Sequence, residues 1–178
     1  GGLEAVELLR GGHENGAGSS GTINFVPQLA YKTSATFFQR FGTYNTGNYH
    51  TGFSLGNGSI SLGFGSGEGR ARQFYESADS ADILRDNSGH TVTAGYRPLS
   101  GTELKYYQVK SDRVYSNYYT GDSIGSRLLV NTVKLEQDAG RLGQVEVYVS
   151  SQRATGEDDT SQLQTDRDDS QVITGINY

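Results

Sequence analysis

The chain has 178 residues, a net charge of -5, 34% hydrophobic residues and no cysteine. The absence of cysteine excludes a disulfide scaffold, a thiol nucleophile and the usual zinc-finger ligands, and the acidic charge gives no reason to expect a nucleic-acid partner. No apolar run reaches the roughly 18 residues of a membrane helix, and no signal peptide opens the chain. We therefore expect a mature form or an internal piece of a longer protein.

The first element of the chain is a short strand, "LEAVELLR" (3–10). A glycine- and serine-rich stretch follows, and "TINF" (22–25) then resumes as a strand. Glycines permit positive φ and close approach of backbones, which suits a segment packed against other polypeptide. We assign 1–28 to one unit and 29–178 to a second.

The second unit contains eight strand-like runs rich in tyrosine and phenylalanine, without a convincing helix pattern. Their alternation of apolar and polar residues predicts strands with two chemically different faces, each strand roughly 8 to 12 residues long. The clearest runs are 49–56, 59–65, 90–97 and 143–151; weaker alternation marks 33–41, 102–110, 127–136 and 170–178.

Short and long connections alternate along this second unit. The tight ones, 56–59, 97–101 and 138–143, carry the Gly, Pro, Asn and Asp residues typical of reverse turns. Long polar loops are predicted at 66–89, 112–126 and 153–169, all at one end of the sheet. A transmembrane β-barrel has this arrangement, with short periplasmic turns and longer external loops. A soluble β-sandwich or lectin-like domain is the alternative.

The opening stretch "LEAVELLRGG…GAGSSGTINF" resembles the end of the plug domain in TonB-dependent outer-membrane receptors. The matching plug-motif residues are Glu7, Arg10, Gly11, Gly21 and Asn24. The resemblance implies an all-β antiparallel transmembrane barrel segment of about eight strands, part of a 22-stranded barrel and preceded by the end of a plug. Arg10 would fix the plug to lumen carboxylates such as Glu103 or Glu146.

The resemblance also implies the function. Such a receptor lies in the outer membrane of a Gram-negative bacterium and takes up a scarce nutrient, such as siderophore-bound iron, a corrinoid or an oligosaccharide. Its partners would be the outer-membrane lipid, the remainder of the receptor barrel and plug, the inner-membrane TonB complex and the small-molecule nutrient.

A second interpretation is a self-contained eight-stranded outer-membrane barrel with a structural or adhesive role. The last run alternates up to an aromatic end, with Val172, Thr174, Ile176 and Tyr178, as the final strands of many outer-membrane barrels do. Eight is also the smallest common strand number. Such a barrel is filled by its own side chains and leaves no room for a plug.

The residues that carry chemistry are few, and no enzyme is expected. The three histidines, His13, His50 and His90, are far apart in sequence and none has metal-ligand spacing with another. Two external segments are candidates for binding, because tyrosines can stack on a ligand and clustered carboxylates can hold Ca²⁺. The tyrosines are Tyr115, Tyr118 and Tyr119; the possible calcium ligands are Asp158, Asp159, Asp166, Asp168 and Asp169.

Overall fold

The computed structural model describes residues 3–9, 22–27, 29–42, 46–73, 83–117, 121–159 and 164–177. These residues form ten strands and one short 3-10 turn, Gly140–Leu142. None of the described segments is a helix of the length and apolarity needed to cross a membrane. The strands are β1 (Leu3–Leu9), β2 (Thr22–Pro27), β3 (Lys32–Phe41), β4 (Gly47–Asn57), β5 (Ile60–Gln73), β6 (Ile83–Leu99), β7 (Thr102–Asn117), β8 (Ser123–Asp138), β9 (Gln144–Asp159) and β10 (Gln164–Asn177).

The strands form two antiparallel sheets. β1 pairs with β2, and β3 to β10 make one eight-stranded sheet in which each strand pairs with its neighbour in the chain. The prediction of an all-β antiparallel fold with eight strands in the second unit is confirmed. The eight strands form one sheet rather than two packed sheets. The sheet is open in this structure, because β3 and β10 are its two edges.

Tight turns join the strands where the sequence predicts them. Between β4 and β5 the side chain of Asn57 accepts hydrogen bonds from the backbone N–H groups of Ser59 (3.1 Å) and Ile60 (2.8 Å). Gly58 in the same turn has a φ of 91°, a conformation that glycine adopts without steric cost. These turns fix the register of the hairpins, and therefore which residues share a face.

The predicted long loops were wrong in extent, because the strands run deep into them. β5 continues to Gln73 and β6 begins at Ile83, where the prediction placed a loop over 66–89. In the loop predicted at 112–126, β7 continues to Asn117 and β8 begins at Ser123. In the loop predicted at 153–169, β9 continues to Asp159 and β10 begins at Gln164. Six strands, β5 to β10, are 14 to 17 residues long, longer than predicted. Cross-strand ion pairs such as Arg70–Asp86 (2.8 Å) hold these polar extensions together.

The sheet has almost no apolar core. Tyr107 is the one buried hydrophobic side chain among the described residues, and the buried polar ones are Ser54, Ser61 and Thr93. Soluble domains bury one face of a sheet against a second layer. Here the large apolar side chains of the described sheet are exposed instead. The described residues therefore leave a large apolar surface of the sheet uncovered.

Candidate functional site

The two faces of the sheet differ in chemistry, as the alternation predicts. In β9 the exposed Val147 and Val149 lie on one face, whereas Glu146 and Tyr148 lie on the other. We call these the apolar face and the polar face. The antiparallel register extends this division across all eight strands.

A continuous row of large side chains crosses the apolar face. Each member lies directly opposite the next in the strand register, from β5 to β10. Their exposed fractions range from 42% to 74%. The row consists of Ile60, Tyr96, Leu104, Leu135, Val147 and Ile176. An exposed apolar patch of this extent marks an interaction site rather than ordinary protein surface.

Further rows widen this face into an uncharged zone. The zone runs from the row of Val145 to the row of Ser151, six residue steps along β9, or about 20 Å at 3.3 Å per step. Membrane barrels carry an apolar band about 25 Å tall. Polar side chains within the zone form hydrogen bonds with one another. The Gln108 side-chain amide, for example, donates to Asn131 Oδ1 at 2.9 Å. Measured along the strand, the zone is somewhat shorter than such a band.

Beyond this zone the same face becomes charged. Asp112 binds both Lys110 (3.1 Å) and Arg127 (2.5 Å), and Arg153 pairs with Asp168 at 2.6 Å. The side chains of Arg153 and Asp168 are 61% and 54% exposed, as expected for groups in water. The change from uncharged to ion-paired rows defines a boundary on the apolar face.

A ladder of alternating charges crosses the polar face at the depth of the apolar rows. We call it the charge ladder: Arg97, Glu103, Lys105, Glu136, Lys134 and Glu146. Successive members are 2.7 to 3.4 Å apart. The central side chains, Glu103, Lys105 and Glu136, are only 12% to 15% exposed. The charges of the ladder therefore lie on the face opposite the uncharged zone.

The chain leading into β3 lies against this polar face. We call residues 29–31 the leading segment. Ser61, which is fully buried, donates its hydroxyl hydrogen to the Ala30 carbonyl oxygen at 2.7 Å. The backbone N–H of Gly58 donates to the Tyr31 carbonyl oxygen at 3.2 Å. The leading segment is therefore bound to the polar face.

Tyr31 joins the leading segment to the charge ladder. Its hydroxyl donates to Glu103 Oε1 at 2.5 Å, and the Arg97 guanidinium lies 3.7 Å from the centre of its ring. Burial raises the pKa of the Tyr31 phenol well above its usual range, and the hydrogen bond to Glu103 raises the pKa further. The phenol therefore stays protonated as a hydrogen-bond donor at neutral pH.

The plug motif predicted from the sequence is described in part. Glu7 on β1 and Asn24 on β2 lie directly opposite each other in the two-stranded sheet. Arg10, Gly11 and Gly21 lie outside the described residues.

The two carboxylates expected to receive Arg10 have other partners in the described part of the chain. Glu103 binds Tyr31, Arg97 and Lys105, and Glu146 binds Lys134. Whether Arg10 also reaches either of them stays a prediction.

The tyrosine group is also described in part. Tyr115 lies on β7 rather than in a loop, and its hydroxyl accepts a hydrogen bond from Arg85 Nε at 2.8 Å. Arg85 also lies 4.8 Å from the centre of the Tyr115 ring. Tyr118 and Tyr119 lie outside the described residues, so a ligand site formed by the three tyrosines stays a prediction.

The five candidate calcium ligands do not converge. The register puts Asp158 and Asp169 on the polar face, and Asp159, Asp166 and Asp168 at positions of the apolar face. One carboxylate oxygen of Asp158 is buried and accepts no hydrogen bond within the described chain. Nowhere in the described ranges do three or more histidine or acidic side chains gather as metal ligands. Ca²⁺ takes six to eight oxygen ligands, so this arrangement offers no formed calcium site.

Sequence reasoning missed the charge ladder. The sequence does contain a pattern that indicates it. Glu103 and Lys105 follow one tight turn, and Lys134 and Glu136 precede the next. The two residues of each pair are two positions apart, so they lie on the same face of their strand. Only the register could show that the two pairs are neighbours, because opposite charges on adjacent strands interact when they lie nearly opposite.

Comparisons with protein-family models, curated proteins and solved structures find no match for this chain.

Proposed function

We propose that the chain is part of a TonB-dependent outer-membrane receptor that takes up a scarce nutrient. In this proposal β3 to β10 form part of the barrel wall, and the residues before Leu29 are the end of the plug. The observation that carries the proposal is the pairing of an exposed uncharged zone on one face with a charge ladder and a bound leading segment on the other.

The orientation of the wall follows from the cost of charge in lipid. An arginine or lysine on the lipid face of a barrel costs about 2–4 kcal/mol at the bilayer midplane. Lys105 and Lys134 lie beside the apolar rows in sequence but on the polar face. Only an arrangement with the apolar face toward lipid and the polar face toward a protein-filled lumen keeps both lysines out of the bilayer.

The open edges favour a larger barrel over a self-contained one. The outer sides of β3 and β10 pair with no other strand among the described residues. Unpaired backbone groups in lipid cost several kcal/mol each, so membrane sheets are closed. The remaining strands of a receptor barrel would pair with both edges. The leading segment supports the same choice, because a small barrel is filled by its own side chains.

The transported nutrient belongs to the classes that such receptors take up: siderophore-bound iron, a corrinoid or an oligosaccharide. External parts of the chain, including the region around Tyr115, would capture the ligand, and the inner-membrane TonB complex would supply energy for movement of the plug.

Uptake in living cells tests the proposed function. The probes are radio-iron-loaded ferrichrome, cyanocobalamin and a radiolabelled malto-oligosaccharide, given to cells with and without the intact gene. We expect disruption of the gene to remove uptake of one probe, and a protonophore to remove the same component from intact cells. If uptake of all three probes survives the disruption, the proposal is wrong and a structural or adhesive barrel is favoured.

A further inference from the structure

We propose that the leading segment is a fixed anchor, clamped to the polar face, so that any movement of the preceding chain stops at Leu29. The clamp consists of contacts within the described residues, and its role in limiting movement rests on the proposed function.

The first part of the clamp grips the backbone. The two hydrogen bonds from Ser61 and from Gly58 both end on carbonyl oxygens of the leading segment, at Ala30 and Tyr31. Ser61 is 0% exposed, so no water competes for its hydroxyl while it donates to Ala30. One donor comes from β5 and the other from the turn before it, so the segment is held against a tight hairpin.

The second part of the clamp is space made by glycine. A Cβ atom at Gly95 would lie 2.5 Å from the Tyr31 hydroxyl oxygen and 3.0 Å from Leu29 Cδ1. A Cβ at Gly56 would overlap the Tyr31 backbone. Gly56 on β4 can carry no side chain while the Tyr31 backbone is in place, and a side chain at Gly95 on β6 would force the Tyr31 and Leu29 side chains to shift.

The third part of the clamp is the side chain of Tyr31. Arg97 covers its ring at 3.7 Å, and Glu103 receives its hydroxyl at 2.5 Å. Glu103 is held in turn by Lys105 at 3.4 Å, and the ladder continues to Glu146 on β9. The anchor is thereby tied to four strands of the wall, β6 to β9, in addition to β4 and β5.

The position of the clamp gives its role. The leading segment ends immediately before β3, whose pairing with β4 makes it part of the wall. A plug that rearranges during transport must remain joined to the barrel. A clamp on the last residues before the wall confines the rearrangement to earlier residues and protects the pairing of β3.

Thiol labelling of the full receptor in outer-membrane vesicles tests the anchor. The chain has no cysteine, so Leu29→Cys and Val26→Cys each give a single thiol within it. We expect a water-soluble maleimide to label the Leu29→Cys thiol slowly. Adding Gly95→Val should raise that rate on the order of tenfold, the factor that corresponds to about 1.4 kcal/mol. The matched control is Gly125→Val, where an added Cβ meets nothing closer than 3.9 Å, and it should leave the rate unchanged.

A second variant is needed in case Gly95→Val prevents folding. Arg97→Gln removes the guanidinium over Tyr31 without adding bulk, and it should raise the Leu29→Cys labelling rate by a few fold. Rapid labelling of the Leu29→Cys thiol without a second substitution would overturn the anchor. A labelling rate that neither Gly95→Val nor Arg97→Gln changes would also overturn it.

Energised cells separate the anchor from the transport proposal. We expect a protonophore to change the labelling rate of Val26→Cys and not that of Leu29→Cys. Equal changes at both positions would contradict the anchor. A clamped Leu29→Cys together with a Val26→Cys that ignores the protonophore would support the clamp and count against the transport function.

Discussion

Leu135→Arg is expected to destabilise the proposed receptor in a lipid bilayer by about 2–4 kcal/mol, the cost of an arginine on the lipid face near the bilayer midplane. Leu135 lies in the middle of the apolar row, opposite Leu104 and Val147, and is 42% exposed. Urea unfolding of the full proposed receptor in phospholipid vesicles measures the effect, with folding followed by the gel mobility of unheated samples.

The matched control is Gln137→Arg, two residues along the same strand and on the same face, beside the tight turn. Near the interface an arginine costs only about 0–1 kcal/mol. A sheet whose apolar face met water would give a different result. Leu135→Arg would then be an ordinary surface substitution, within about 0.5 kcal/mol of neutral, and that outcome would contradict the assignment of this face to lipid.

Glu136→Gln is expected to cost about 3 kcal/mol, because it leaves two largely buried lysines with one fewer negative partner. Glu136 binds Lys105 at 2.7 Å and Lys134 at 3.0 Å, and its side chain is only 13% exposed. The expected loss of stability lies at the low end of the range for broken buried pairs, because each lysine still has one carboxylate partner. Lys105 remains paired with Glu103, and Lys134 remains paired with Glu146. The same unfolding measurement applies.

The control for Glu136→Gln is Asp168→Asn, which breaks the exposed pair with Arg153. Exposed pairs contribute about 0–1 kcal/mol and weaken with added salt. Equal losses for Glu136→Gln and Asp168→Asn would show that the charge ladder is open to bulk water. That result would refute the enclosed polar face on which the proposed function depends.

The faces of the sheet were predictable from the sequence because they follow from local alternation. "GQVEVYVSS" places its valines on one face whatever the partners of β9 are, and the register confirms that division. The tight turns were predictable for a similar reason, since the residues that adopt turn conformations, such as Asn57 and Gly58, are few.

The lengths of the strands were not predictable in this way. "GSGEGRARQ" reads as a loop because glycine and charge are rare in strands of soluble proteins. In the structure these residues continue β5, and Arg70 pairs with Asp86 of β6. The pairing depends on residues that lie far apart in the chain, which local composition does not reveal.

Only part of the candidate site was predictable from the sequence. A strand, a glycine-rich stretch and a strand at the start of the chain were predicted, and β1 and β2 confirm the two strands. The contacts of the leading segment required the folded sheet, because Tyr31 and Glu103 are 72 residues apart in sequence. The calcium prediction treated 153–169 as a loop. In the structure these aspartates belong to the paired strands β9 and β10, which distribute them over two faces of the sheet.

The central claim is that the apolar face touches lipid, and tryptophan fluorescence in brominated lipid tests it most directly. The chain has no tryptophan, so Val147→Trp and Tyr148→Trp give adjacent reporters on opposite faces of β9. Each is measured within the full proposed receptor against its unsubstituted parent. Bromine on the acyl chains should quench the added fluorescence of Val147→Trp strongly and that of Tyr148→Trp weakly. Equal quenching at the two positions, or stronger quenching of Tyr148→Trp, would contradict the account.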